Sequence, residues 1–173
     1  STSVLAVEPS EEINAAAQRI LPQVIEWRRH LHEHPELSNR EVNTAAYVAQ
    51  HLRALELDVK TGIAKTGVVA ILKGGKPGPV VALRADMDAL PVEERVKIPF
   101  ASKATGEYLG QTVPVMHACG HDIHAAALVG AAGDPGQLQR VVVVARDHVH
   151  VEMEDRLPGR RPAAAEDVEA VGA

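Results

Sequence analysis

The densest group of reactive side chains is Met116-His117-Ala118-Cys119-Gly120-His121-Asp122-Ile123-His124. The single cysteine stands among three histidines and an aspartate. Thiolate and imidazole both ligate zinc and the later first-row metals. A cysteine at a helix start also has its thiolate stabilised by the helix dipole. Gly120 lets the backbone turn Cys119 and His121 toward one place. Two ligands alone do not make a site, and a buried apolar Cys119 beside surface histidines accounts for the same residues.

Three further groups carry chemistry. Arg84-Ala85-Asp86-Met87-Asp88-Ala89-Leu90-Pro91 closes a β-rich run. Period-two alternation puts Arg84, Asp86 and Asp88 on one side, as a metal or acid–base site needs, or as a solvated strand end with Arg84 paired to an acid. His30-Leu31-His32-Glu33-His34-Pro35-Glu36 sets His30 and His34 four apart on one helical face, a zinc-binding spacing, but Pro35 breaks the helix at once. An interhelical polar corner is the other reading. Asp147-His148-Val149-His150-Val151-Glu152-Met153-Glu154 would line His148, His150, Glu152 and Glu154 along one strand face. That is a ladder of metal ligands or the polar side of an edge strand.

These groups need elements to hold them. Ser10, Glu11 and Glu12 read as a helix start, and Ile13, Ala17, Ile20, Leu21, Val24, Trp27 and Leu31 follow at helical spacing. Pro22 predicts a kink or a restart, and Pro35 ends the helix. Ser38 with Glu41 has the capping-box spacing for a second helix through Leu55. A short strand is expected at 57–60. Gly67–Lys73 and Val80–Ala85 flank Gly74-Gly75-Lys76-Pro77-Gly78-Pro79, which predicts an antiparallel β-hairpin at about 67–85. Residues 91–114 read as loop with weak strands, and Ile123–Ala132 as an Ala-rich helix. The order implies a layered α/β domain.

The chain's 173 residues suit one domain, with 46% hydrophobic and 24% charged residues, so wholesale disorder is excluded. A formal net charge of -5 gives no electrostatic case for nucleic acid or an anionic membrane. No apolar run approaches the roughly 20 residues of a membrane span. One cysteine, with no signal-peptide pattern, predicts a reducing compartment, the cytoplasm. Aromatic residues are only 2%, so the core must rest on Ala, Val, Leu and Ile. After Ala132 the composition changes: residues 133–173 contain no Ile, Phe, Tyr, Trp or Lys. Gln139–Asp147 reads as a strand, and the stretch from about Pro158 as disordered.

Four motifs in order form a pattern. They are Trp27-Arg28-Arg29-His30-Leu31-His32 with His34-Pro35-Glu36-Leu37-Ser38, then Arg84–Pro91, then Pro99-Phe100-Ala101-Ser102, then Met116–Asp122. Over about residues 20–132 this resembles the N-terminal part of the amidohydrolases of peptidase family M20, subfamily D, which includes hippurate hydrolases and N-acyl-amino-acid hydrolases. The resemblance implies part of a metallopeptidase-type catalytic domain, with helices layered on a mixed sheet. It implies a divalent metal pair (Mn, Zn, Co or Ni), water activated between the metals, and hydrolysis of the amide bonds of small N-acyl amino acids or related conjugates. Carried over by motif, Cys119 and His121 match metal ligands and Asp88 the strand-end aspartate that supports them.

The resemblance stops after Ala132. Asp155-Arg156-Leu157-Pro158-Gly159 echoes a family turn, and Glu166-Asp167 stands near where a catalytic glutamate pair would fall. The expectation is therefore 10–132 as the N-terminal part of the catalytic domain and 133–173 as an atypical tail, with the inserted dimerisation domain absent. Such a tail would arise from a truncated or frame-disrupted gene. His148, His150 and Glu152 are then the candidates for replacement ligands, and a homo-oligomer is expected to cover the incomplete sheet. The alternative is a fragment that folds and self-associates without hydrolase activity.

Overall fold

A computed structural model of the chain describes residues 11–73, 80–133 and 140–145. The elements are α1 (Glu11–Glu33), α2 (Val42–Ala54), β1 (Asp58–Ile63), β2 (Gly67–Lys73), β3 (Val81–Ala85), β4 (Thr105–Tyr108), β5 (Gln111–Pro114), α3 (His121–Ala132) and β6 (Arg140–Ala145). Mixed helices and strands are the α/β class that the sequence implies.

α1 runs through Pro22 as one helix. Pro22 is exposed, so the carbonyl its ring leaves unbonded can meet water. The buried residues of α1, Trp27, Leu31 and His32, all lie in its second half, and Ile20 and Val24 pack partly buried against the core. α2 buries Thr44, Ala45, Val48, Ala49 and Leu52, a stripe at three- and four-residue spacing. Its start differs from the capping-box expectation. Glu41, not Ser38, sits at the cap and makes no side-chain cap bond. The orphan N–H groups of Asn43 and Thr44 donate instead to the Glu36 carboxylate, at 3.2 and 2.7 Å. A carboxylate reaching in from the preceding loop satisfies the helix start and its dipole together. Glu41 is itself fully buried and accepts from Asn39 N–H (2.9 Å) and Thr66 Oγ1 (2.7 Å), which pins the start of α2 to the β1–β2 turn.

The main sheet has the order β1-β2-β6-β3. β1 and β2 pair antiparallel, β2 and β6 pair antiparallel, and β6 and β3 pair parallel, with Ala145 opposite both Val68 and Ala85. This corrects the hairpin expected at 67–85. β2 and β3 do run in opposite directions, but β6 lies between them. Skipping one strand means spanning about 10 Å, well within reach of a six-residue link. Arg-Val-Val-Val-Val-Ala, rich in β-branched residues, suits an interior strand better than an edge.

The core lies between this sheet and the three helices. It holds Leu31, Val48, Leu52, Val68, Met87, Leu128 and Val129, interleaved with Ala45, Ala49, Ala70, Ala85, Ala125, Ala126 and Ala132. Trp27 is its one buried aromatic ring among the described residues. Small side chains draw the helices close: a Cβ on Gly130 of α3 would lie 2.7 Å from Val24 Cγ2 of α1. A second, smaller cluster of Leu37, Ala89 and Val115 sits beneath the β4–β5 hairpin. Leu109 (φ 52°) and Gly110 (φ 74°) make the tight turn of that hairpin.

Candidate metal centre

Two loops carry the centre and are tied side by side. The segment after β3 bridges Ala89 to Leu37 and Leu90 to Met116. Leu90 and Met116 exchange backbone hydrogen bonds of 3.0 and 3.1 Å, and Ala89 N–H donates to the Glu36 carbonyl at 2.8 Å. Met87 is buried as a plug under the segment. The chain therefore delivers Asp88 beside the loop that enters α3.

That loop turns at Gly120, in the left-handed region at φ 76°, directly before the helix. Its carbonyl accepts the N–H groups of Ile123 and His124, which closes the first turn. His121 opens α3, and its Nδ1 lies 2.9 Å from Asp88 Oδ1 and 2.8 Å from the Asp88 carbonyl oxygen. Both neighbours are acceptors, so Nδ1 carries the proton and the lone pair of the neutral ring is on Nε2. A carboxylate or carbonyl on the far nitrogen is how metal-binding histidines are oriented and made more basic. Cys119, two residues earlier, is exposed and unbridged. Asp86 instead forms an ion pair with Arg84 at 2.7 Å, the solvated strand-end arrangement.

A buried polar cluster stands behind the loop. Asp122 is 1% exposed, and its Oδ2 lies 2.9 Å from both Arg28 Nε and His32 Nδ1. His32 Nε2 faces Glu94 Oε2 at 2.8 Å. Glu94 is held below the usual carboxylate range, first by the Val96 N–H, against its own burial and with help from His32. Phe100 covers the cluster, with Arg28 and Arg29 guanidinium groups 5.1 and 5.2 Å from its ring. These contacts join α1, the 91–104 loop and the first turn of α3. His117 is also buried, and neither ring nitrogen has a hydrogen-bond partner among the described residues. Desolvation pushes its pKa down to about 4, against the pull of Asp122.

The structure thus brings Asp88 to His121 and leaves Cys119 exposed on the same loop. His148, His150, Glu152 and Glu166 lie outside the described residues. Among the described residues no three His, Cys, Asp or Glu side chains converge as a metal cage. The donor set that is described, a thiol and an oriented imidazole, suits a late first-row divalent metal and stops at two protein ligands. Glu94 and the His32–Asp122 pairing escaped the sequence reading. Arg28 and His32 at i, i+4 on a helix with a buried face are a usable signal for a buried acid partner. Glu94 sits in a stretch with no periodicity and offers none.

Residues 82–134 match the profile of Peptidase family M20/M25/M40. The chain is 49% identical over 132 residues to an N-acyl-L-amino acid amidohydrolase of Geobacillus stearothermophilus, covering 75% of this chain and 33% of that protein. It is 48% identical over 123 residues to thermostable carboxypeptidase 1 of Saccharolobus solfataricus, covering 70% and 29%. Its fold matches the crystal structure of a Bacillus subtilis dinuclear metal-binding peptidase from the M20 family, with a TM-score of 0.64 and 37% identity, covering 74% of this chain and 35% of that one. The chain spans about a third of the length of these relatives. With the four motifs of the sequence in place on this fold, the chain belongs to the M20 peptidase family and corresponds to a part of its longer members.

Proposed function

We propose that this chain carries part of the metal centre of an amidohydrolase that cleaves small N-acyl amino acids or related amide conjugates. Cys119 and His121 hold a divalent metal, Mn, Zn, Co or Ni, and Asp88 orients His121. The observation that carries the reading is the Asp88–His121 contact, which leaves Nε2 as the free donor. When bound, the metal supplies a Lewis acid for the amide carbonyl and a water of lowered pKa. Asp88 keeps the Nδ1 proton in place. The Arg28–Asp122–His32–Glu94 cluster fixes the helix turn from which His121 projects.

β6 runs parallel to β3 and ends level with Ala85, at the end of the sheet where β3 passes into Asp86 and Asp88. His148, His150 and Glu152 follow Ala145 by three to seven residues. They are our candidates for the remaining ligands, and Glu166 for the base that takes a proton from water. The single cysteine supports a reducing, cytoplasmic setting, and no described helix is long and apolar enough to cross a membrane. Among the described residues β3 is an outer strand with Val81 exposed, which supports a homo-oligomer.

The test is metal content per chain after purification without chelator, beside Cys119→Ser. One or two equivalents, falling in the variant, is the expected result. Hydrolysis of an N-acyl amino acid should then be lost with chelator and return with Mn or Zn. A chain that takes up neither Mn nor Zn refutes the reading.

A further inference from the structure

A cleft that the metal centre does not use lies between the last turn of α1, the start of α2 and residues 101–104. Its volume is about 610 Å³, within the roughly 300–1,000 Å³ of small-molecule sites. Pro35, Ala101 and Ala104 give it an apolar lining, and Glu33, His34 and Lys103 stand among its polar groups. None of Asp88, Cys119 and His121 lines it.

Two opposite charges face this cleft. Among the described residues neither Glu33 nor Lys103 makes an ion pair or a side-chain hydrogen bond. Glu36 differs, because it is engaged by the α2 start and by Asn43 Nδ2 at 2.8 Å. Glu33 is the last residue of α1, where the helix dipole favours a cation. His34 adds an acceptor beside it. Its Nδ1 donates to the His30 carbonyl at 2.9 Å, so the lone pair of the neutral ring sits on Nε2. The His34 ring stacks on His30 with centroids 4.5 Å apart, and His30 stacks on Tyr47 at 4.0 Å. Rings stacked face to face cannot share one metal ion, which removes the zinc reading of the His30–His34 spacing. The same stacking fixes that wall of the cleft before a ligand arrives.

We propose that this cleft binds a free α-amino acid as its zwitterion, separate from the Cys119–His121 centre. The ammonium group meets Glu33 and His34 Nε2, and the carboxylate meets Lys103. An apolar side chain lies against Pro35, Ala101 and Ala104. An N-acyl amino acid replaces the ammonium group with one neutral N–H and leaves Glu33 without a cation. The cleft therefore distinguishes a hydrolysed amide from an intact one. That such an amino acid is also what this chain's centre would release rests on the proposed function, whereas its binding here is measured without turnover. Glu33 and Lys103 are exposed, so each pairing changes affinity by a small factor.

The experiment titrates L-leucine into the full chain at pH 7 with chelator present and follows the His30 and His34 ring signals by nuclear magnetic resonance. N-acetyl-L-leucine, which lacks the cation, and L-leucinamide, which lacks the anion, are titrated beside it. Both rings should shift saturably with L-leucine, at a Kd about two- to five-fold below that of either analogue. Lys103→Gln should raise the Kd of L-leucine by about the same factor and leave that of L-leucinamide unchanged. Glu33→Gln should raise the Kd of L-leucine and leave that of N-acetyl-L-leucine unchanged. Equal Kd values for the three probes overturn the proposal, as does a shift confined to other histidines or no saturable shift at all. Equal weakening of L-leucine and L-leucinamide by Lys103→Gln overturns it too. The comparison of probes uses the unsubstituted chain, so it decides even where a variant loses its circular-dichroism helicity. A chain that binds L-leucine here and takes up no metal refutes the proposed function alone.

Discussion

Asp122→Asn tests the idea that a buried acid holds the metal loop. The substitution keeps the volume and removes the charge. Asp122 is 1% exposed and faces Arg28 Nε and His32 Nδ1 at 2.9 Å through one oxygen. Its other oxygen has no hydrogen-bond partner among the described residues. In the variant the amide NH₂ either points at two donors or occupies that unpartnered position. Removing one member of a buried ion pair costs about 3–5 kcal/mol. Two features reduce that here: the remaining amide oxygen still accepts, and the Arg28 side chain is 29% exposed, so water takes up part of its charge. The expected loss is about 2–3 kcal/mol. For 173 residues that lowers Tm by about 4–12 °C. Urea unfolding with an unchanged m-value, run as a double-mutant cycle with His32→Gln, reads it directly. A loss below about 0.5 kcal/mol, or strict additivity with His32→Gln, refutes the reasoning.

Other perturbations separate backbone from packing effects. Gly120→Ala meets open space, since the nearest atom is Ile123 Cδ1 at 4.0 Å, so only the φ of 76° resists it. The cost should be about 1–2 kcal/mol, smaller for Gly120→Asn, with weaker metal uptake; equal stabilities for both variants in urea would contradict this. Gly130→Ala should improve helix propensity yet destabilise by about 1–3 kcal/mol, because its Cβ would lie 2.7 Å from Val24 Cγ2. Val24→Ala should restore the loss, and a thermal melt of the double variant checks it. His30 and His51 have lowered pKa values, mainly from burial. The folded state therefore binds their protons less readily than the unfolded chain. Their contribution is fully present above about pH 6.5 and is lost as pH falls through the folded-state values. Urea midpoints between pH 8 and 5 should fall less steeply in His51→Gln than in the parent, and parallel curves would disprove the assignment.

The helices were legible because their apolar residues repeat at helical spacing, and α3 was recognisable from Ala-rich composition alone. Strand existence was legible at 67–73, 80–85 and 139–147 from runs of β-branched residues. Strand pairing was not. A Gly/Pro link between two strands signals a turn but carries no information about a third strand arriving from about 70 residues away. The α2 cap was misread because Ser38 and Glu41 have capping-box spacing, while the carboxylate that serves the helix, Glu36, precedes them. At the centre, motif order located Asp88, Cys119 and His121, but spacing could not reveal that Asp88 takes His121 and Asp86 takes Arg84. Both aspartates share a side of the strand, and only the bridge from Leu90 to Met116 decides which reaches the α3 loop.

The placement of β6 between β2 and β3 has a consequence for synthesis. A ribosome delivers β2 and β3 early, yet neither can complete its ladder until Arg140–Ala145 has emerged. For that interval the nascent chain holds two strands whose unpaired N–H and C=O rows face a slot one strand wide. Closing the slot joins residues far apart in sequence and is intrinsically slow. The vulnerable period of this polypeptide is therefore the time before residue 145 emerges, when a strand from another nascent chain competes for the same slot.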